Sequence, residues 1–464
     1  MKTIIYDMTD REKLKKLREV EIEGNYVSSR KIGSELYIVS NKYIDYYSIQ
    51  NSRENPVPSY RDTLDRDEFT SIDYGSIRYF PGIIQPNYLI VAGIDVNGDS
   101  TANIGTYLGA GQNIYASAQN LYITAIDFEN RDILPMGGNT DEAQIAPKLR
   151  VVPSYAENTI VYKFALKDAK ATYLCKGVVP GRVLNQFSMD EYKGYFRIAT
   201  TTGEVWRTDE QTSKNNLYIL DDVLDITGKV EGMAPGETIY SVRFMGNRAY
   251  VVTFKTVDPL FVLDLKDPKN PSVLGALKIP GYSDYLHPYD ENHIIGFGKD
   301  TVEVKGQAYY QGMKLALFDV SDVKNPIQKY TEIIGGRGTD SELLSNHKAL
   351  LFSKEKNLLA FPVTVMEAEN TVDKSEWEFL QYGQFTFQGA YVYNLNLTDG
   401  FKLLGRITHM SEEDYIKAGN GWYESDKNVK RILYIDDTLY TLSNVMIKAN
   451  SLLDMKDRGE LKIP

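Results

Sequence analysis

Residues Glu237–Gly298 constrain the fold more than any other stretch, because they hold one complete four-strand unit and the first hairpin of the next. Ile239–Phe244 and Ala249–Thr253 alternate large apolar with polar side chains around Met245-Gly246-Asn247-Arg248. That period of two, broken by a Gly-Asn turn, predicts a β-hairpin with one buried face. Leu260–Leu265 reads as a third strand, Asp267-Pro268-Lys269-Asn270-Pro271 as a turn and Val273–Ile279 as a fourth strand. Pro280-Gly281 ends the unit, and the pattern restarts at Tyr285. A four-strand unit that returns with its own turns predicts a β-propeller blade, which buries its faces by stacking on its neighbours.

The unit recurs along the whole chain. Inner hairpins, strands a and b, are expected at Tyr26–Val39, Asn113–Thr124, Leu184–Ala199, Ile239–Thr253, Tyr285–Phe297, Ala349–Phe361 and Arg431–Leu442. Outer hairpins, strands c and d, follow at Tyr88–Leu108, Thr159–Val178, Asn216–Val230, Pro259–Ile279, Lys314–Ile333, Ala390–Ile407 and Met446–Ile463, and one more stands first, at Thr3–Ile22. The fold class is therefore all-β, a propeller of four-stranded antiparallel blades. The unmatched hairpin fits either an eight-bladed ring whose first inner strands lie upstream, or a seven-bladed ring whose ends share a blade. Met446–Ile463 already completes the last blade, which favours eight and makes Met1 the start of a truncated chain. Residues 1–464 are then a single propeller domain, with 1–22 the outer hairpin of an incomplete blade and 23–464 seven successive blades.

The connections are uneven. Asn41–Pro86 and Phe128–Asn158 are long b–c insertions; Thr201–Lys214, Lys299–Gly312 and Met366–Gly383 are shorter ones, and Met410–Asn428 is a d–a connection. In a propeller the b–c and d–a connections emerge on one face, and long loops on a rigid scaffold carry function. That face is the expected binding surface.

Charge excludes one partner class. A formal net charge of −11 with no basic stripe leaves nothing to displace counterions from nucleic acid. Tyrosine is abundant, 34 against 3 Trp, which suits half-buried pleated surfaces. Cys175 is the one cysteine, so no intramolecular disulfide forms, and its apolar strand Thr172–Val178 predicts a buried structural thiol. No apolar run approaches the roughly 18 residues of a membrane helix, and Met1–Asp7 lacks the apolar core of a signal peptide.

Candidate chemistry is sparse. His287 and His293 flank Pro288–Asn292, but two imidazoles across a hairpin do not make a zinc site. Asp95, Asn97 and Asp99 imitate the opening of a calcium loop, yet Ser100 and Thr106 stand where an EF-hand needs Gly and Glu; Asx turns explain the pattern better. The pairs Asp7/Asp10, Asp264/Asp267 and Asp319/Asp322 recur in several units, which fits turn capping, since catalysis needs one site. Gly109-Ala110-Gly111 leads into a strand, so no helix N-terminus is there to hold a phosphate. No nucleophile elbow, Walker loop or HExxH occurs, and nothing calls for a cofactor. The early residues of each strand a, which would ring the channel mouth, include Tyr26, Asn113, Gln186, Thr238, Asp284 and His347. Convergence of such groups could hold a polar ligand.

The stretch Glu237–Gly298, together with Val178–Tyr192, Pro58-Ser59-Tyr60-Arg61-Asp62, Tyr107–Gly111 and Asn346-His347-Lys348-Ala349, resembles the secreted prokaryotic proteins that contain a C-terminal β-propeller domain distantly related to WD40 repeats. The resemblance spans essentially the whole chain. It implies a bacterial or archaeal protein that is secreted or held in the cell envelope, and it transfers no catalytic residues. The expectation is a monomeric, non-enzymatic module that binds a protein or carbohydrate partner. The alternative is a polysaccharide hydrolase or lyase at the channel mouth. A glycosidase needs two carboxyls roughly 5–10 Å apart, and Asp284 with Asp190 or Glu191 are the acids available, the latter two expected in a turn on the opposite face.

Overall fold

The computed structural model describes residues 1–44, 47, 56–80, 87–109, 111, 113–127, 133–135, 149–151, 157–255, 258–279, 281–368, 378–421 and 424–463. Most strands pair with their neighbours in sequence into successive antiparallel sheets, and Arg78–Tyr79 adds a short parallel fifth strand beside Asn103–Leu108 in one of them. Seven sheets among the described residues take the a-b-c-d order. The unit of the opening stretch is one of them, with strands Thr238–Met245, Arg248–Phe254, Asp258–Asp264 and Ser272–Ile279. An eighth sheet contains the N-terminal hairpin, Lys2–Asp7 and Lys15–Ile22.

The chain divides into two compact units, Met1–Gly203 with Asn216–Lys229, and Glu204–Asn215 with Val230–Pro464. In the first, sheets stack face to face. Val20 and Ile22 of the N-terminal hairpin pack with Ile38, Ile90 and Ala92 of the next sheet. That sheet's other face puts Tyr37, Leu89 and Val91 against Ile123, Ile160 and Phe164. Leu89, Ile90, Val91 and Ala92 are all at most 2% exposed, so this strand is covered on both faces, and hence reads as an unbroken apolar run. In the second unit, Tyr250, Val252 and Val262 pack with Leu286, Ile294 and Phe318, and Leu358, Ala390 and Val392 with Ile432 and Leu439.

The insertion Asn41–Pro86 is more than a loop. It contains a second hairpin, Ser59–Asp62 with Arg66–Ser71, whose first strand pairs with Lys15–Ile22. The N-terminal hairpin is thus extended on its outer edge, and its sheet has the order Lys2–Asp7, Lys15–Ile22, Ser59–Asp62, Arg66–Ser71. A buried ion pair locks the join. Arg18 Nε donates to Asp62 Oδ1 at 2.9 Å, and the two residues are 4% and 2% exposed. Asp62 also accepts the amides of Ala102 at 2.7 Å and Leu64 at 3.1 Å.

Two further expectations are corrected and a third is refined. Lys299–Gly312 is a β-extension, because strands His293–Val304 and Gln307–Asp319 run on as a hairpin around Lys305-Gly306. The inner hairpins expected from Leu184 and Ala349 start later, at Met189 and Leu351. The 3₁₀ turns Gln186–Ser188 and His347–Ala349 precede them, capped by Asn185 and Asn346 side chains. Met410–Asn428 contains a helix, Glu412–Ala418, with a Ser411/Asp414 capping box. Most of Phe128–Asn158 lies outside the described residues, apart from the paired strands Ile133–Pro135 and Leu149–Val151.

Candidate functional site

In the second unit three connections converge on one cavity of about 460 Å³. The first, Gly335–Glu342, leaves its strand at Gly335, whose φ of +59° suits glycine. A Cβ there would lie 2.3 Å from Thr339 Oγ1. The connection is then stitched along strand Leu358–Glu367. Gly336 N donates to Met366 O at 2.6 Å, Asp340 N to Thr364 O at 2.9 Å, and Ser341 Oγ to Pro362 O at 2.5 Å. The far end of that strand contributes Met366, the second connection Tyr382, and the third Glu424, Asn428 and Lys430. Gln388, buried on the neighbouring strand, clamps the third: its Oε1 accepts Val429 N at 3.0 Å and its Nε2 donates to Val429 O at 3.3 Å. Lys427 Nζ donates to Asp414 Oδ2 at 2.5 Å, tying the same segment to the helix.

Polar groups at the cavity are held in place. Asp340 Oδ1 accepts Lys299 Nζ at 2.8 Å, and Lys299, itself 9% exposed, also donates to the Thr339 carbonyl. Glu342 Oε1 accepts Arg431 Nη1 at 2.6 Å and Asn346 Nδ2 at 2.9 Å. Tyr382 and Tyr310 share a 2.5 Å hydroxyl contact, and the Arg337 guanidinium lies 4.9 Å from the Tyr382 ring centre and 4.4 Å from that of Tyr310. These contacts favour the ionised form of Tyr382, with the Tyr310 hydroxyl as the largest influence.

Asp284 lies within electrostatic reach of Asp340 and Lys299, at a register shift between Ser283 and Tyr285 of the kind a bulge makes. Burial pushes its carboxyl up to about 7; Lys299 pulls it down and Asp340 pushes it further up. Next to it, Tyr285 Oη and His287 Nδ1 are 3.0 Å apart, and the Tyr285 and His347 rings are 6.2 Å between centres. Burial lowers His287 to about 4, with Arg243 and then His347 adding to the effect. Burial also lowers His347, aided by Lys348 and Arg243. His347 thus groups with Tyr285, His287 and Arg243, whereas Asp284 is influenced by Lys299 and Asp340. Thr238 opens its strand, half-buried, opposite Phe254.

Tyr26, Asn113 and Gln186 belong to the first unit. Tyr26 is 48% exposed, with its Oη 2.9 Å from Ser29 Oγ. Asn113 opens a strand, and its carbonyl accepts Thr124 Oγ1 at 3.3 Å. Gln186 opens a 3₁₀ turn, not a strand. Asp190 accepts Arg197 Nε at 2.9 Å and Glu191 accepts Asn120 Nδ2 at 2.9 Å, at the turn end of their strand. The Asp95–Asp99 segment forms an Asx turn, Asn97 N donating to Asp95 Oδ1 at 3.1 Å. Among the described residues no three His, Cys, Asp or Glu side chains gather closely enough to hold a metal. Asp264 and Asp267 accept the amides of Lys266 and Lys269, at 2.9 and 3.0 Å. His293 is set between Asp290, at 2.8 Å, and Asp319, at 3.6 Å, away from His287. Cys175 is half-buried, not buried, and burial pushes its thiol up.

Sequence reasoning singled out the segments 366–383 and 410–428 but missed Asp340, Glu342 and Gln388. The one available signal for the first two was the Gly335-Gly336-Arg337-Gly338 run, a place where the backbone departs from strand geometry.

Two archaeal proteins resemble the chain. An uncharacterised protein of Archaeoglobus fulgidus is 28% identical over 505 residues, covering 97% of this chain and 70% of the relative. An uncharacterised protein of Methanocaldococcus jannaschii is 54% identical over 269 residues, covering 58% of this chain and 35% of the relative. Among solved structures, the β-propeller domain of the Trilobed protease from Pyrococcus furiosus is similar at 8% identity and a TM-score of 0.36, covering 94% of this chain and 96% of that one. Apo AztD from Citrobacter koseri is similar at 10% identity and a TM-score of 0.35, covering 92% and 95%. Residues 1–455 match the beta propeller domain family. With that match running over nearly the whole chain, and with sheets that follow the blade order, the protein belongs to the beta propeller domain family.

Proposed function

We propose that the chain is a non-enzymatic binding module, monomeric and extracytoplasmic, that presents its connection-rich face to a protein or glycan partner. The observation that carries this reading is the 460 Å³ cavity built by three connections of the second unit. Its volume falls in the range of small-ligand sites. Its walls are cross-braced, so little ordering entropy is lost on binding. The placement outside the cytoplasm rests on the family resemblance of the sequence. Among the described residues no helix is long and apolar enough to cross a membrane.

A second reading, a polysaccharide hydrolase or lyase, draws on Asp284. A protonated carboxyl close to the ionisable Asp340 resembles the divided roles of an acid–base pair. Two facts weigh against it. Asp284 does not line the cavity, and both Asp340 and Glu342, which do, are engaged by cations.

The test is retention. Wild-type chain and the cavity-filled variant Thr364→Trp, matched by circular dichroism and melting, are immobilised and exposed to envelope extract of the organism that makes the chain. The reading expects a component, identified by mass spectrometry, that the wild type retains and the variant does not. Identical retention by both would remove the cavity from the account.

A further inference from the structure

We propose that this cavity is a site for a neutral saccharide, with the Tyr382 ring as the platform for a sugar face and the Asp340 and Glu342 carboxylates as acceptors for its hydroxyls. The proposal rests on the binding-module reading and specifies its ligand.

Tyr382 is the starting point. It is 61% exposed, yet it is not free to rotate. Its hydroxyl contacts Tyr310 at 2.5 Å, and Arg337 packs on its ring. Arg337 is fixed in turn, Nη1 donating to the Phe379 carbonyl at 3.4 Å. An exposed aromatic ring normally keeps its rotamer freedom; pinning one costs entropy and leaves apolar surface in water. The pinned ring is useful to a ligand with a flat C–H face, which loses no further ordering entropy by stacking on it.

The carboxylates follow the same logic. Asp340 is oriented by Lys299, and Glu342 by Arg431 and Asn346. Each retains lone pairs beyond those contacts, because a carboxylate has about four acceptor positions. Sugar hydroxyls are donors that match them, and Pro362, Val363 and Met366 supply apolar wall for the ring carbons. Charge selects among saccharides. Lys299 and Arg431 already neutralise Asp340 and Glu342, and Lys430 lines the cavity with Glu424, so the site offers no surplus cation to hold a uronic, sulfated or phosphorylated sugar. Shape argues against a protein partner here, because a concave site of this size suits a small group better than a flat interface.

The experiment uses the full chain. A glycan array spanning neutral, amino and uronic saccharides is probed with labelled wild type, and hits are titrated calorimetrically with wild type, Tyr382→Ala and Tyr382→Phe. The expected result is binding of at least one neutral saccharide. It is weakened roughly tenfold in Tyr382→Ala, weakened less in Tyr382→Phe, which keeps the ring and its Arg337 packing but loses the Tyr310 contact, and accompanied by no uronic hits. Melting curves confirm that both variants fold. An empty array, a uronic hit, or equal affinity in Tyr382→Ala overturns the assignment. If the array is empty while Thr364→Trp still loses a retained protein, the saccharide assignment falls and the binding-module reading stands. If Thr364→Trp loses nothing either, both fall.

Discussion

A carboxyl on a β-bulge, buried beside one lysine and one further carboxylate, titrates where few carboxyls do. Asp284 is raised to about 7 from an ordinary 3.8. The folded state therefore holds a proton that the unfolded state has released over that whole window. Stability falls as pH rises from about 4 to about 7 on account of this group. His287 and His409 act in the opposite sense. Burial lowers each to about 4 from 6.5, so the unfolded chain takes up protons first, and their contribution is lost as pH falls from 6.5 towards 4. The Asp284→Asn variant isolates the first effect. It should raise stability more at pH 8 than at pH 5, by about 1–3 kcal/mol, less than the full shift because part of Asp284 remains in water. Melting at both pH values reads this directly, and equal gains at both would contradict the burial argument.

At the scale of elements, the N-terminal hairpin depends on a segment some forty residues away. Lys15–Ile22 would be an outer edge without Ser59–Asp62, and edges invite unwanted pairing. Deleting residues 59–71 should remove Asp62 and leave Lys15–Ile22 an open edge with Arg18 deprived of its carboxylate, at a cost of at most about 3–5 kcal/mol. Amide exchange should then accelerate along Lys15–Ile22 before the rest of the first unit. Unchanged protection there would mean the insertion hairpin contributes nothing to the fold. Sequence alone could not show this hairpin. Arg66–Ser71 is almost wholly exposed and polar, so no alternation marks it, and Ser59–Asp62 is only four residues long. The extension of His293–Val304 escaped for the same reason, since its outer part leaves the core. The helix Glu412–Ala418 has seven residues and buries none. What could be read were the strands that pack on both sides, where burial forces apolar residues into every position.

For the whole molecule, repetition made the architecture readable and the site obscure. The unit of Glu237–Gly298 recurs because each sheet needs a neighbour to bury its faces. The cavity belongs to no single four-strand repeat: it needs three connections and Gln388 from the strand between them, a convergence that chain order does not display. Segments 366–383 and 410–428 were recognisable as long connections, but their meeting with Gly335–Glu342 is a tertiary fact. On the reading we propose, this face binds without reacting. The most direct measurement incubates the chain with the saccharides retained on the array and reads both the bound fraction and any product by mass spectrometry. The expected result is saccharide that is bound and recovered unchanged, in wild type and Asp284→Asn alike. Product formed by the wild type and abolished in Asp284→Asn would contradict it.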